Sequence, residues 1–287
     1  MKVLITGAHG QLGRELLHTR PAEVEPVAED ADRLDITDRE AVRAFVEGER
    51  PELIVNAAAW TAVDRAEEEA EAARAVNEAG AAHLAEAAEG IGARLIQIST
   101  DFVFDGVQGT PYRPEDPCRP LGVYGATKRA GEERVLEISG GRALVVRTAW
   151  VYAAGGANFV ATMLRLMAER DSIRVVDDQL GTPTWARTLA EAIWKWSERP
   201  EVAGIRHWTD AGVASWYDFA CAIQEEGLAA GLLERPVRID PIPGSAWPTP
   251  AKRPACGVLD KHRSWEELGV SPLHWREALR RALAGWA

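Results

Sequence analysis

Tyr124 and Lys128 stand four positions apart, with Gly-Ala-Thr between them. On a helix that spacing puts both side chains on one face. A phenol with a pKa near 10 is a poor acid–base group at neutral pH, and an ammonium beside it stabilises the phenolate and lowers that pKa. Such a pair can move a proton to or from the oxygen of a carbonyl or an alcohol. YxxxK alone is common. Here it follows an apolar run ending Ile98-Ser99-Thr100-Asp101, and the Thr100 hydroxyl is available to the same oxygen. A second feature lies near the start of the chain, where Val3-Leu4-Ile5-Thr6 runs into Gly7-Ala8-His9-Gly10-Gln11-Leu12-Gly13. Three glycines between a strand and a helix allow a tight turn and a close backbone approach, and they seat a pyrophosphate on the helix N-terminus. In that position they point to dinucleotide binding by Gly7, His9, Gly10, Gln11, Leu12 and Gly13.

These groups need a scaffold. Residues 3–6, 53–59, 94–99 and 143–151 are almost continuously apolar, as expected of strands covered on both faces. Helical patterns separate them: Gln11 to Arg20, Asp38 to Glu49 with Asp38 as a cap, and Ala70 to Ile91. The alternation predicts an α/β fold, a Rossmann-type doubly wound parallel sheet with a smaller C-terminal substrate-binding lobe. Residues 1–150, with a returning segment about 185–210, are expected to form the dinucleotide-binding domain. Residues 151–184 and 211–287, rich in Trp and Pro, are expected to form the lobe. The second strand should end near Asp30. An acid there would meet the adenosine ribose hydroxyls and favour NAD over NADP, whereas Arg14 and Arg33 could reach a 2′-phosphate. Both NADH and NADPH therefore stay open as cofactors. Asp35-Ile36 could meet the adenine, and a plain turn or cap role for Asp35 is equally compatible. The acidic stretch Asp64 to Glu69 reads as a solvated helix start.

The chain has 287 residues and a formal net charge of −11, with 46% hydrophobic residues. That balance offers no basic field for nucleic acid or an anionic membrane, so neither is an expected partner. The three cysteines form no CxxC pair and the six histidines show no ligand spacing, so no protein metal site is expected and the thiols should be reduced. The N-terminus lacks the pattern of a signal peptide and no apolar run approaches a membrane span, which suggests a cytoplasmic protein.

Longer segments carry a resemblance: GAHGQLG (7–13), NAAAWTAVDRAE (56–67), STDFVFDG (99–106), VYGATKRAGE (123–132), RTAWVY (147–152), NFVATML (158–164), DQLGTPT (178–184), SWYDFA (215–220) and PTPAKRPACGVLD (248–260). Taken together, nearly end to end, they resemble the dTDP-4-dehydrorhamnose reductases of the extended short-chain dehydrogenase/reductase superfamily. Phe102 stands where that family usually has Tyr, and Trp60 where it usually has Tyr or His. The resemblance implies reduction of the C4 ketone of a nucleotide sugar by NAD(P)H, with Tyr124 as proton donor, Lys128 tuning it and holding the nicotinamide ribose, and Thr100 polarising the carbonyl. It adds Ala57, Ala58, Ala59, Thr61 and Ser99 to the cofactor site. Asp101, Trp150, Asn158, Lys252 and Arg253 join Thr100 and Tyr124 as candidate substrate contacts, the last two for the diphosphate, and residues 178–184 form a second candidate wall. Some members form homodimers with Mg²⁺ between subunits, and Glu15 is the position nominated for that. A 4,6-dehydratase carries Glu where this chain has Phe102, so water elimination is not expected. Three other readings compete: a reductase or epimerase of another nucleotide deoxysugar, a non-catalytic NADP-binding regulatory subunit of the methionine adenosyltransferase type, and a nucleotide-sensing repressor. The intact Thr100, Tyr124 and Lys128 favour an enzyme.

Overall fold

A computed structural model describes residues 1–286. The apolar runs become buried strands: β1 (Lys2–Thr6), β2 (Glu25–Glu29), β3 (Leu53–Asn56), β4 (Arg94–Thr100) and β5 (Leu144–Thr148). Their amphipathic connections are α1 (Gln11–His18), α2 (Arg39–Glu49), α3 (Val63–Glu68), α4 (Ala70–Arg74), α5 (Ala81–Ile91) and α6 (Val123–Ile138). Asp38 caps α2 as expected, its side chain accepting from the Ala41 N–H at 3.0 Å.

The single helix expected over residues 70–91 is interrupted. Between α4 and α5 the backbone widens into a π turn at Ala75–Gly80. A widened turn frees backbone and redirects side chains. Here it carries buried Asn77, which accepts from the Trp60 N–H at 2.9 Å and donates to the Thr127 hydroxyl at 3.1 Å. This hydrogen-bonds the loop after β3 to α6. Two expected strands are also shorter than their apolar runs. β3 stops at Asn56 and β5 at Thr148, because the alanines at 57–59 and the turn at 149–150 extend past the edge of the sheet.

After β5 come β6 (Val151–Tyr152), α7 (Phe159–Glu169), β7 (Ser172–Val176), β8 (Leu180–Gly181), β9 (Thr184–Trp185) and α8 (Ala186–Ser197). Then follow β10 (Gly204–His207), β11 (Ala214–Ser215), α9 (Trp216–Ala229), β12 (Arg238–Ile242), α10 (His262–Leu268) and α11 (Trp275–Ala284). The main sheet is parallel throughout, in the order β10-β5-β4-β3-β1-β2. Among the described residues no strand lies beyond β2, and residues 30–38 turn directly into α2. The order reverses at β1, so the crevice outside the carboxyl ends of β1 and β3 is where ligands bind in such sheets.

Among the described residues, three large apolar clusters and a small one around Phe104 and Tyr112 hold the chain. One packs α1 and α8 on one face of the sheet through Leu12, Leu16, Ile193 and Trp196. The second packs α2, α5 and α6 on the other face through Val42, Val46, Leu84 and Val135. The third joins α7, α9 and α11 through Met163, Phe219, Ile223 and Leu279. α10 lies against α8 and β10, so this late segment returns to the sheet. Among the described residues, no helix is long and apolar enough to cross a membrane.

Candidate active site

The phosphate turn is built by clearance. Gly7 has φ +68°, and a Cβ on it would lie 2.7 Å from the Ala58 nitrogen. A Cβ on Gly13 would lie 2.3 Å from the Gly7 carbonyl oxygen. Only glycine lets α1 start this close to the strand end. The Asp30 carboxylate accepts from the His9 N–H at 2.9 Å and straps β2 to the turn. The Gln11 side-chain oxygen accepts from the Ala153 N–H and the Asn158 amide, both at 2.9 Å, which joins the turn to the loop before α7. Arg14 donates to the Gly155 carbonyl at 2.9 Å across the same gap.

The turn opens onto a cavity of about 860 Å³ that runs along the carboxyl ends of β1, β3, β4 and β5. Gly7, His9, Gly10, Gln11, Leu12, Gly13, Asp30, Asp35, Ile36, Ala57, Ala58, Ala59, Thr61 and Ser99 all line it. So do Thr100, Asp101, Tyr124, Lys128, Trp150 and Arg253. Asp35 also closes a local turn, accepting from the Thr37 N–H and hydroxyl. Trp60, Phe102, Gly156 and Trp216 line the cavity too, although sequence reasoning did not nominate them as contacts. Trp216 lies in the SWYDFA segment, and its repetition of the Trp150 side-chain type was the available signal.

β4 and the start of α6 bring the reactive groups together. Lys128 is buried, and its ammonium donates to the Ile98 carbonyl at 2.6 Å. Burial pulls its pKa down to about 8. Burial pushes the Tyr124 phenol up to about 12, opposed by a hydrogen bond with Thr100 and reinforced by the Asp101 charge. This desolvation opposes the lowering of the Tyr124 pKa expected from Lys128. Desolvation dominates, and the phenol stays protonated across the neutral range. The Thr100 hydroxyl donates to Asp101 Oδ1 at 3.1 Å and accepts from the Phe102 N–H at 3.2 Å. Asp101 is 2% exposed, its Oδ2 has no protein partner among the described residues, and burial lifts its pKa to about 7. The Phe102 ring meets Tyr124 edge-on with centroids 5.6 Å apart.

The far wall is aromatic. Trp150 has φ +48° and stacks on Trp216 with ring centroids 3.4 Å apart and planes 7° from parallel. Gly181 leaves room for this indole, since a Cβ there would lie 2.5 Å from it.

Several expectations need correction. Asn158 does not line the cavity: it caps α7 through the Ala161 N–H and braces Gln11, so its amide is spent on backbone and turn. Lys252 is exposed and off the lining, because its neighbour Arg253 turns inward. Residues 178–184 do not line the cavity either. Asp178 accepts from the Gly244 N–H, Leu180–Gly181 pair with Ala214–Ser215, and Thr182 donates to the Gly212 carbonyl. The acidic helix start is not merely solvated, since Asp64 pairs with Arg253 at 2.8 Å and Glu67 accepts from the Val123 N–H at 2.8 Å. Glu15, nominated for Mg²⁺, is engaged by Arg187 at 3.0 Å. No group of three or more His, Cys, Asp or Glu suited to a metal gathers among the described residues.

The model of the RmlD substrate binding domain matches residues 1–287. This chain belongs to that family. A dTDP-4-dehydrorhamnose reductase of Streptomyces griseus is 47% identical over 284 residues, covering 96% of this chain and 91% of that protein. A dTDP-4-keto-6-deoxy-D-glucose reductase of Streptomyces niveus is 42% identical over 281 residues, covering 97% and 95%. The crystal structure of dTDP-4-dehydrorhamnose reductase from Bacillus anthracis in complex with NADP superimposes with a TM-score of 0.92 at 36% identity, covering 99% of each chain.

Proposed function

We propose that this protein reduces the C4 ketone of dTDP-4-dehydro-β-L-rhamnose to give dTDP-β-L-rhamnose, using NADPH or NADH. The observation that carries the reading is the convergence of Thr100, Tyr124 and Lys128 on one wall of a cavity whose other end is the phosphate turn. The family relatives named for this reaction support it. We read residues 1–150 with the returning segment about 185–210 as the cofactor-binding part, and most of the remainder as the sugar-nucleotide lobe.

The turn fits a dinucleotide, because backbone occupies the volume that side chains would take at Gly7 and Gly13. Residues 7–13 would hold the pyrophosphate. Asp30 would hold the adenosine ribose and Asp35-Ile36 would flank the adenine. Ala57–Ala59, Thr61 and Ser99 would line its middle and far end. Once bound, the reduced nicotinamide supplies the hydride delivered to C4. Tyr124 gives its proton to the ketone oxygen as negative charge develops there, and a phenol held near 12 is fully protonated for that step. Thr100 turns its hydroxyl to the same oxygen and stabilises the charge. Lys128 spends one N–H on Ile98 and keeps two for the nicotinamide ribose and the Tyr124 oxygen. Asp101 faces a sugar hydroxyl, the Trp150–Trp216 stack offers an apolar face to the 6-methyl group, and Arg253 faces the diphosphate.

The relative from Streptomyces niveus supports a second sugar, dTDP-4-keto-6-deoxy-D-glucose, on the same chemistry. The test is NADPH and NADH consumption on both sugars, with Tyr124→Phe as control. We expect turnover on the rhamnose precursor and a loss of roughly 10²–10⁴-fold in the variant with cofactor affinity retained. Cofactor binding with turnover of neither sugar would overturn the assignment in favour of a partner-binding role.

A further inference from the structure

Asp64 lies outside the reacting trio, on the short helix α3, and its partners come from the far end of the chain. Arg253 Nη1 and Nη2 donate to its two carboxylate oxygens at 3.1 and 2.8 Å, and the Ala251 N–H donates to Oδ1 at 3.2 Å. Nη1 also donates to the Ala251 carbonyl at 3.2 Å and to the Thr249 hydroxyl. The protons of Nη1 and one proton of Nη2 are thus committed to protein acceptors. The Nε–H and the second Nη2–H have no protein partner among the described residues. Those two bonds run parallel along one edge of the guanidinium, the fork that grips two oxygens of a phosphate. Arg253 lines the cavity, and the arginine holds the Asp64 carboxyl below its ordinary pKa, so the pair stays charged. The same helix also fixes the start of α6, because Glu67 Oε1 accepts from the Val123 N–H, one residue before Tyr124.

We propose that Asp64 is a positioning residue for the nucleotide-sugar diphosphate. It holds the end of the Arg253 guanidinium so that the side edge meets the phosphates, and α3 sets that grip in register with Tyr124. The Arg253 cation lies against the carboxylate and offsets its repulsion of the incoming diphosphate. The proposal rests on the reductase reading above.

The test compares Asp64→Asn, Asp64→Glu, Arg253→Ala and the double variant Asp64→Asn/Arg253→Ala. Sugar-nucleotide KM and kcat are measured by NADPH consumption, dTDP affinity by calorimetry, and NADPH affinity by fluorescence. Asp64→Asn should raise KM and weaken dTDP about tenfold, with a far smaller change in kcat and none in NADPH affinity. Asp64→Glu, which keeps the charge, should lose less. In the Arg253→Ala background Asp64→Asn should cost nothing further, because the group it positions is gone. A KM that is unchanged or lower in Asp64→Asn would overturn the proposal. A penalty that persists without Arg253, or one that spreads to NADPH, would do the same by showing that Asp64 only braces the loop. Absence of wild-type turnover would count against the reductase reading instead, and the dTDP arm would still read the Asp64–Arg253 coupling.

Discussion

Replacing Lys128 with methionine should abolish activity while making the protein more stable, and the gain should fade with rising pH. Lys128 is 4% exposed, and its ammonium donates to one acceptor among the described residues, the Ile98 carbonyl. Burial lowers its pKa from 10.5 to about 8. Between those values the unfolded chain holds a proton that the folded chain has released. Folding stability contributed by this group therefore rises as pH climbs from 8 towards 10.5. Below pH 8 the folded state carries the full cost of a buried ammonium, about 3 kcal/mol for a shift of this size. Methionine is of similar length and carries no charge, so it removes that cost. It also forfeits the bond to Ile98, a loss of roughly 1–3 kcal/mol. The net expectation at pH 7 is a variant about 1 kcal/mol more stable than the parent. By pH 10 the parent should have recovered about 2 kcal/mol relative to the variant, which reverses the order. Urea unfolding of both proteins at pH 7 and pH 10 reads this difference directly, and other titrating groups cancel in the comparison. A difference that stays constant with pH, or that grows in favour of the variant, would refute the claim that desolvation dominates at Lys128.

Gly13→Ala should weaken dinucleotide binding by at least tenfold and cost stability, because its Cβ would lie 2.3 Å from the Gly7 carbonyl oxygen and the turn must open; fluorescence titration with NADPH checks this. Glu132→Gln should destabilise the fold by about 3–5 kcal/mol in denaturant titration, since Glu132 and Arg147 are both 0% exposed and the arginine would keep an uncompensated charge. In Tyr124→Phe, kcat should fall while NADPH affinity holds; equal losses in both would mean that the phenol binds cofactor and does not act as an acid.

The parts of this protein that sequence made legible are those in which one residue type answers one local requirement. Unbroken apolar runs became β1, β3, β4 and β5 because a strand covered on both faces admits little else. The glycines at 7 and 13 were readable because backbone fills the space a Cβ would need. Asp38 was readable as a cap because its carboxylate serves an N–H only three residues away. The misreadings fall where a partner lies far along the chain. Asn158 resembles a substrate contact until Gln11, 147 residues away, occupies its amide. Asp64 looks like solvated helix charge until Arg253, 189 residues away, reaches it. The π turn at Ala75–Gly80 leaves no mark on apolar periodicity, and the partners of its Asn77, Trp60 and Thr127, lie in two other segments.

The Tyr124–Lys128 pair shows the same boundary in its electrostatics. Spacing alone placed an ammonium beside a phenol and predicted that the phenol would be acidified. The fold buries Lys128 and half-buries Tyr124, and desolvation disfavours the charged form of each, so the phenol is pushed up to about 12 and the ammonium down to about 8. For reduction this is the useful direction. The substrate oxygen takes up a proton, so the group beside it must begin protonated, and acidifying it in advance would lose that proton to water. Phe102 and the Trp150–Trp216 stack line the cavity beside the phenol, and this apolar wall favours its protonated form until the ketone oxygen becomes the stronger base. The YxxxK spacing therefore records which groups meet, while their desolvation between β4 and α6 favours the neutral form of each before a substrate arrives.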